Sequence, residues 1–201
     1  MLFCALVAAL GVVGSAGADA SGGANQVVIV QNTTDGDTLV NARTQVVPVA
    51  GDTVTSANIA TAVNAGCTGC HSSAVAVQIL IVVGSPSTFS PGNVAGAANG
   101  GCDSCGAFAF ARQHWIQVPQ ATSLSGDARM KIAELRTEIA NAAASILPSD
   151  RTTDPCAVTL DCPTRDDQLN NELMALSDQL IQVVTNDLQG SALADRIDSQ
   201  G

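Results

Sequence analysis

The residues best suited to chemistry are two cysteine pairs, Cys67-Thr-Gly-Cys70 followed by His71, and Cys102-Asp-Ser-Cys105. Each type and spacing points to a definite chemistry. Four thiolates in a C-x-x-C…C-x-x-C pattern are the donor set of a structural zinc site, since tetrahedral coordination by sulfur needs two such knuckles facing each other. The ligands would be Cys67, Cys70, Cys102 and Cys105, although the 31 residues between the pairs exceed the usual interval. Cys67-Thr-Gly-Cys70-His71 also spells the attachment sequence of a c-type haem, with two thioethers, His71 on iron, and Met130 or Met174 as a second axial ligand. Two features weigh against haem: the residue after Cys105 is Gly106 and not histidine, and only 2 % of the chain is aromatic. A redox dithiol requires C-x-x-C at a helix N-terminus, where the thiolate is stabilised, whereas here both flanks read as strands. The remaining chemistry is disulfide formation, within each pair or crosswise, and this is the reading the sequence favours.

The cysteine arithmetic agrees with it. Met1 to Ala18 resembles a secretory signal peptide, with an apolar run from Leu2 to Val13 and an A-x-A site at Ala16-Gly17-Ala18. Cys4 belongs to that segment. Six cysteines remain, an even number in an oxidising compartment. Cys156 and Cys162, six positions apart in a polar stretch, are expected to pair with each other. By the loop-entropy argument that closure contributes roughly 2 to 3 kcal/mol. A secreted or envelope-located protein follows, with no membrane span after cleavage.

The elements that must position these cysteines are written as a repeat. Asn58 matches Asn93, Ala60 matches Ala95, Ala62 matches Ala97, Asn64 matches Asn99, Gly66 matches Gly101, and Gln78 matches Gln113, all at the 35-residue offset of the cysteines themselves. Asn32 and Gln45 outline a first copy without cysteines. Residues 58–64 and 74–83 alternate with period two, so each unit reads as strand, turn, strand, with the cysteines in the turn. A helix over 56–65 is disfavoured because Gly96 would sit inside its sister, at a cost of about 1 kcal/mol. Asp35 and Asp37 around Gly36 read as a turn, since the other ligands of a calcium loop are missing. The four asparagines are expected to stack as hydrogen-bonded rungs. His114 and Trp115 fall on positions that are apolar in the sister unit, Ile79 and Leu80, and should pack; His71 reads as an exposed turn residue.

At Pro119 the period changes. Ala128, Ile132, Leu135, Ile139, Ala142 and Ile146 recur at helical steps behind a Ser123 or Ser125 cap, and Leu169, Leu173, Leu176, Leu180 and Val183 or Val184 form a second stripe that begins after Thr164 and ends at Gly190. Residues 19–118 hold five acidic and two basic residues, and residues 119–201 hold thirteen and six. With a net charge of −10 the chain repels phosphate backbones, which argues against nucleic-acid binding.

The succession N-x-A-x-A-x-N-x-x-C-x-x-C, Ala74-Val-Ala-Val-Gln78, a second C-x-x-C, and Ser125-Gly-Asp-Ala-Arg129 resembles a group of small, exported, uncharacterised actinobacterial proteins with paired C-x-x-C repeats. The likeness covers residues 25 to about 147. Some of these relatives carry a peptide zinc metalloprotease label, which the resemblance would imply as an activity. This sequence has no H-E-x-x-H, and its two histidines, His71 and His114, have no glutamate nearby. His71 itself departs from the group's pattern.

These readings combine into an α+β expectation: a signal peptide at 1–18, a domain at 25–118 whose three repeated hairpins form an antiparallel sheet of about six strands, and an antiparallel helical hairpin at 119–201 carrying the Cys156–Cys162 loop. The expected function is non-enzymatic: an exported structural or interaction module, cross-braced by disulfides, whose partner is a protein or envelope component. Zinc through the four cysteines is the first alternative, and a small cytochrome the second.

Overall fold

A computed structural model describes residues 21–145 and 165–198, with side chains described for 22–145 and 165–190. The segment expected to be a signal peptide, with Cys4, and Ile146, Cys156 and Cys162, whose pairing was expected, lie outside the described residues. The elements are β1 (Ser21–Gly22), β2 (Gln26–Asn32), β3 (Thr38–Ala50), β4 (Thr53–Ala65), β5 (His71–Val83), β6 (Thr88–Gly100), β7 (Gly106–Val118), α1 (Gly126–Ala144) and α2 (Arg165–Asp198).

The strands correct the expected antiparallel sheet of hairpins, because every pairing is parallel. β2 and β6 flank β4 in one sheet, with the short β1 beside the start of β4. β3 and β7 flank β5 in the other. The two arms of each unit therefore belong to different sheets. They face each other across a layer of side chains, where a hairpin would bring them to about 4.8 Å for mutual hydrogen bonding. Each arm pairs with its own counterpart in the next unit, so the chain winds as three stacked coils, β2–β3, β4–β5 and β6–β7. Period-two alternation is common to both arrangements and does not separate them. The register does: Asn58 lies opposite Asn93, Asn64 opposite Asn99 and Gln78 opposite Gln113, and the first coil adds Gln26, Asn32 and Gln45 to the same three rows.

Identical amides stacked in a parallel register can bond to one another, which a mixed antiparallel pairing would not allow. Asn58 Nδ2 donates to Asn93 Oδ1 at 2.8 Å, and Asn58 Oδ1 accepts from Gln26 Nε2 at 3.1 Å on the other side. Gln113 donates to Gln78 at 2.6 Å and Gln78 to Gln45 at 2.9 Å. Asn64 donates to Asn99 at 2.7 Å. The rows also cross the gap between sheets. Asn58 reaches the carbonyls of Ala76 and Arg112, Asn64 that of Gly106, and Asn93 that of Ala111. The asparagine rungs expected from the sequence are thus present, and they tie the sheets together as well as the coils.

Around these rows the inter-sheet layer is apolar and thin. Val28, Val30, Ala60, Ala62, Ala74 and Ala76 fill one part and Val54, Leu80 and Val82 another. β5 is buried on both faces. Its other side presents Val75, Val77, Ile79 and Ile81, the stripe expected from the sequence, to Ile132, Leu135 and Ile139 of α1 and to Leu173, Leu180 and Val184 of α2. Each such side chain contributes roughly 1.5 to 3 kcal/mol when fully buried.

Ser125 caps α1, accepting from the Ala128 amide. The Ser125 amide donates to Asp187 near the far end of α2, while Arg165 donates to the Ser145 carbonyl, so the two helices run in opposite directions. α2 continues past Gly190 to Asp198. One glycine costs about 1 kcal/mol in a helix interior, which a helix anchored by Leu180, Val184 and Leu188 absorbs.

The amide rows predict an asymmetric response to truncation. Asn58 is fully buried and Asn93 lies on the exposed edge coil. Asn58→Ala should cost about 2 to 4 kcal/mol by stranding several buried partners, and Asn93→Ala under about 1 kcal/mol. Urea midpoints at equal slope will measure both.

Candidate metal centre

The two cysteine turns have the same backbone path. Gly66 and Gly69 in the first have φ of 64° and 64°, and Gly101 and Ser104 in the second have φ of 61° and 55°. These left-handed positions explain the glycines and make Ser104 a mildly strained residue. The second turn lies directly against the first. Gly69 donates to the Asp103 carbonyl at 2.8 Å, Asp103 to Cys67 at 3.3 Å, and Gly106 to Cys70 at 3.1 Å, with Thr68 and Asp103 forming a parallel bridge.

Stacking turn on turn brings the four sulfurs together. Their Sγ atoms all lie within 4.8 Å of one another. Cys67 and Cys70 are buried and joined by a disulfide with Cα atoms 6.1 Å apart, while Cys102 and Cys105 are half-buried free thiols. Between the turns, Cys67 and Cys102 sulfurs are 3.9 Å apart and Cys70 and Cys105 sulfurs 2.8 Å apart. Four thiolates around one zinc, at about 2.3 Å each, stand about 3.8 Å from one another. The cluster has the donors and the dimensions for such an ion, provided that the Cys67–Cys70 bond is reduced.

The turn of the first coil covers the other side of the Cys67–Cys70 turn. Gly36 donates to the Thr68 carbonyl, the Thr68 amide donates to Asp35 Oδ1 at 2.7 Å, and Asn32 donates to the carbonyls of Asp37 and His71. Asp35 therefore caps the neighbouring turn. This covering role was missed in the sequence, although the matching of Asn32 with Asn64 was the signal for it.

His71 corrects another expectation. It is not an exposed turn residue but the buried first residue of β5, and burial lowers its pKa. Its imidazole occupies the space beside Gly106, where a Cβ would come within 2.8 Å of Nδ1. That contact explains why the two turns are followed by different residues: on adjacent strands the ring needs a glycine next to it. The haem ligands proposed from the sequence are not brought together. Met174 touches Arg112, which is in register with Val77. That is six residues, or about 20 Å, along the strand from His71. Met130 is exposed on α1. His114 pairs in register with Ile79 and stacks on Trp115 at 6.4 Å; burial lowers its pKa, with Arg112 acting in the same sense.

The two free thiols differ. A hydrogen bond from the backbone of Cys67 holds the Cys102 thiol below the ordinary range. Partial desolvation pushes the Cys105 thiol above it, and Cys105 Sγ lies 3.2 Å from the Cys67 carbonyl, to which it donates.

No family model, no curated protein and no solved structure matches this chain.

Since the thiolate is the reactive form, alkylation of the metal-free, unreduced protein should label Cys102 at lower pH than Cys105 and leave Cys67 and Cys70 unlabelled. Peptide mapping by mass spectrometry across a pH series checks the order; equal onset at Cys102 and Cys105 would contradict it.

Proposed function

We propose that this chain is a non-enzymatic structural module, exported to the envelope or medium, whose stacked coils are fastened at one end by a four-sulfur clasp that holds zinc when its thiols are reduced. The observation that carries this reading is the convergence of Cys67, Cys70, Cys102 and Cys105 within 4.8 Å, two from each of two stacked turns. Ligands drawn from separate coils let a bound ion hold those coils together, so its binding energy becomes folding energy. Export is supported by the apolar Leu2 to Val13 run and the small-residue sites after it. A structural role is supported by the repetitive, in-register strands.

A second reading is favoured by one observation, the Cys67–Cys70 disulfide. In an oxidising compartment the same clasp closes with a disulfide in each turn, and the coils are then held by their backbone ladders, amide rows and core packing, with no bond through sulfur between them.

Metal analysis separates the two. Protein folded from the reduced state with zinc present is expected to retain about one zinc per chain, to yield a sulfur-to-metal charge-transfer band with cobalt, and to gain about 2.7 kcal/mol of stability at free zinc one hundred times its dissociation constant. The Cys102→Ser/Cys105→Ser variant should lose all three, with Cys156→Ser/Cys162→Ser as the control that does not. Retention of no metal, together with disulfides at both turns in mapped peptides, would establish the second reading. A Soret band would refute both.

A further inference from the structure

The two ends of the coil stack are built differently. At the first coil, β2 is only seven residues long. Arg43 is in register with Ala76 and, through it, with Ala111, a row that faces the gap between the sheets. Its exposed guanidinium, with Arg136, lines the cleft at that end. An inward-pointing charge and a short strand are devices that keep a sheet edge from pairing.

The third coil carries neither device. β6 and β7 are both thirteen residues long, and among the described residues nothing pairs with their outer edges. β6 has no charged residue and is exposed along nearly all its length. The Thr88 amide donates toward β4, to Asp52. Because successive residues of a strand turn their amides to opposite sides, those of Asn93, Ala95, Ala97 and Asn99 point away from β4, along an edge that Pro91 interrupts once. The inter-sheet core is also left open there. Val47, Leu80 and Trp115 form one row across the three coils. Leu80 is fully buried, yet Trp115, braced edge-on by Phe89 at 5.3 Å, is 51 % exposed.

We infer that this end is an interface for a second copy of the chain, presented by the same end, giving a closed two-fold dimer. Strand length supports the choice of occupant. Two third coils match along all thirteen residues, whereas the first coil offers β6 only the seven-residue β2 and the short β1. The end is about 43 Å long and about 20 Å wide, so two copies would cover on the order of 1,700 Å² in total, the size of a stable specific interface. The contact has few charges to desolvate. β7 carries one arginine, Arg112, which already pairs with Asp178. Self-complementary contact closes at two copies, and Arg43 guards the opposite end against continued growth.

Trp115 is the chain's single tryptophan and reports on the contact directly. Sedimentation of the full chain should show a monomer–dimer equilibrium, and dimerisation should shift the Trp115 emission to the blue and protect it from acrylamide. Ala97→Pro removes an outward amide at the third coil without touching a ladder bond inside the chain, and should weaken dimerisation at least about tenfold. Ile29→Pro at the first coil, which also loses an outward amide, should leave it unchanged. A monomer with quenchable Trp115 at every concentration would overturn the inference. So would open-ended assemblies that Ile29→Pro abolishes, because they would mean stacking of first coil on third. A dimer in which Trp115 stays fully quenchable would place the contact elsewhere and refute it equally.

Discussion

The structure depends on side-chain amides that hydrogen-bond in rows along the stack and across it. A buried asparagine or glutamine is costly unless its donors and acceptor are all engaged. Asn58 and Gln78, the middle members of two rows, are engaged by their counterparts in both adjacent coils and by carbonyls of the opposite sheet, while Asn64 donates to Asn99 and Gly106 and leaves its own buried Oδ1 without a partner among the described residues. That requirement fixes three things together: the register of the strands, the spacing of the sheets and the near-constant length of each coil. A one-residue slip would turn every amide out of the gap and put a flanking residue in its place, Ala57 or Ile59 for Asn58 and Val77 or Ile79 for Gln78. The alanines between the rows serve the same constraint, because bulkier neighbours would hold the sheets too far apart for an asparagine to reach across.

The cysteine cluster is a by-product of this register carried into the turns. Once Asn64 is stacked on Asn99, the turn residues that follow must stack as well, and a cysteine pair in one turn meets the pair in the next. No separate folding event assembles the four sulfurs, although they come from positions 35 apart in the chain. The cysteine-free turn of the first coil closes one side of the cluster, and the third coil leaves the other side accessible to solvent, which is why Cys67 and Cys70 are buried and Cys102 and Cys105 only half-buried.

Much of this was legible in the sequence, and its failures have a common cause. The strands, the turn positions of the cysteines, the helix stripes and the Ser125 cap follow from local periodicity and capping chemistry. The asparagine rungs follow from the matched spacing. What local pattern does not contain is the partner of each strand. Alternation in residues 58–64 has the same period in a hairpin arm as in a parallel stack, so local pattern alone lets the turn at 66–70 reverse the strand onto its neighbour. The evidence for stacking was already present in the 35-residue offset, since like residues at a fixed interval are what an in-register parallel pairing requires. His71 failed for a related reason: its burial is decided by Gly106 on the adjacent strand, and adjacency is known only once the pairing is known. The end of α2 was misplaced because packing of Leu180, Val184 and Leu188 outweighs the local preference of Gly190.

The helical layer has a fixed width, and this limits how the fold can vary. Each further unit of 35 residues would lengthen the stack by one strand spacing of about 4.8 Å and would add another cysteine pair in line with the first two. Two antiparallel helices about 10 Å apart span three to four such strands. α1 lies over β3 and β5 and α2 against β7, so the pair acts as a ruler matched to three coils. A longer array would leave the valine and isoleucine ridge of its extra strands bare, unless additional helices were acquired in proportion.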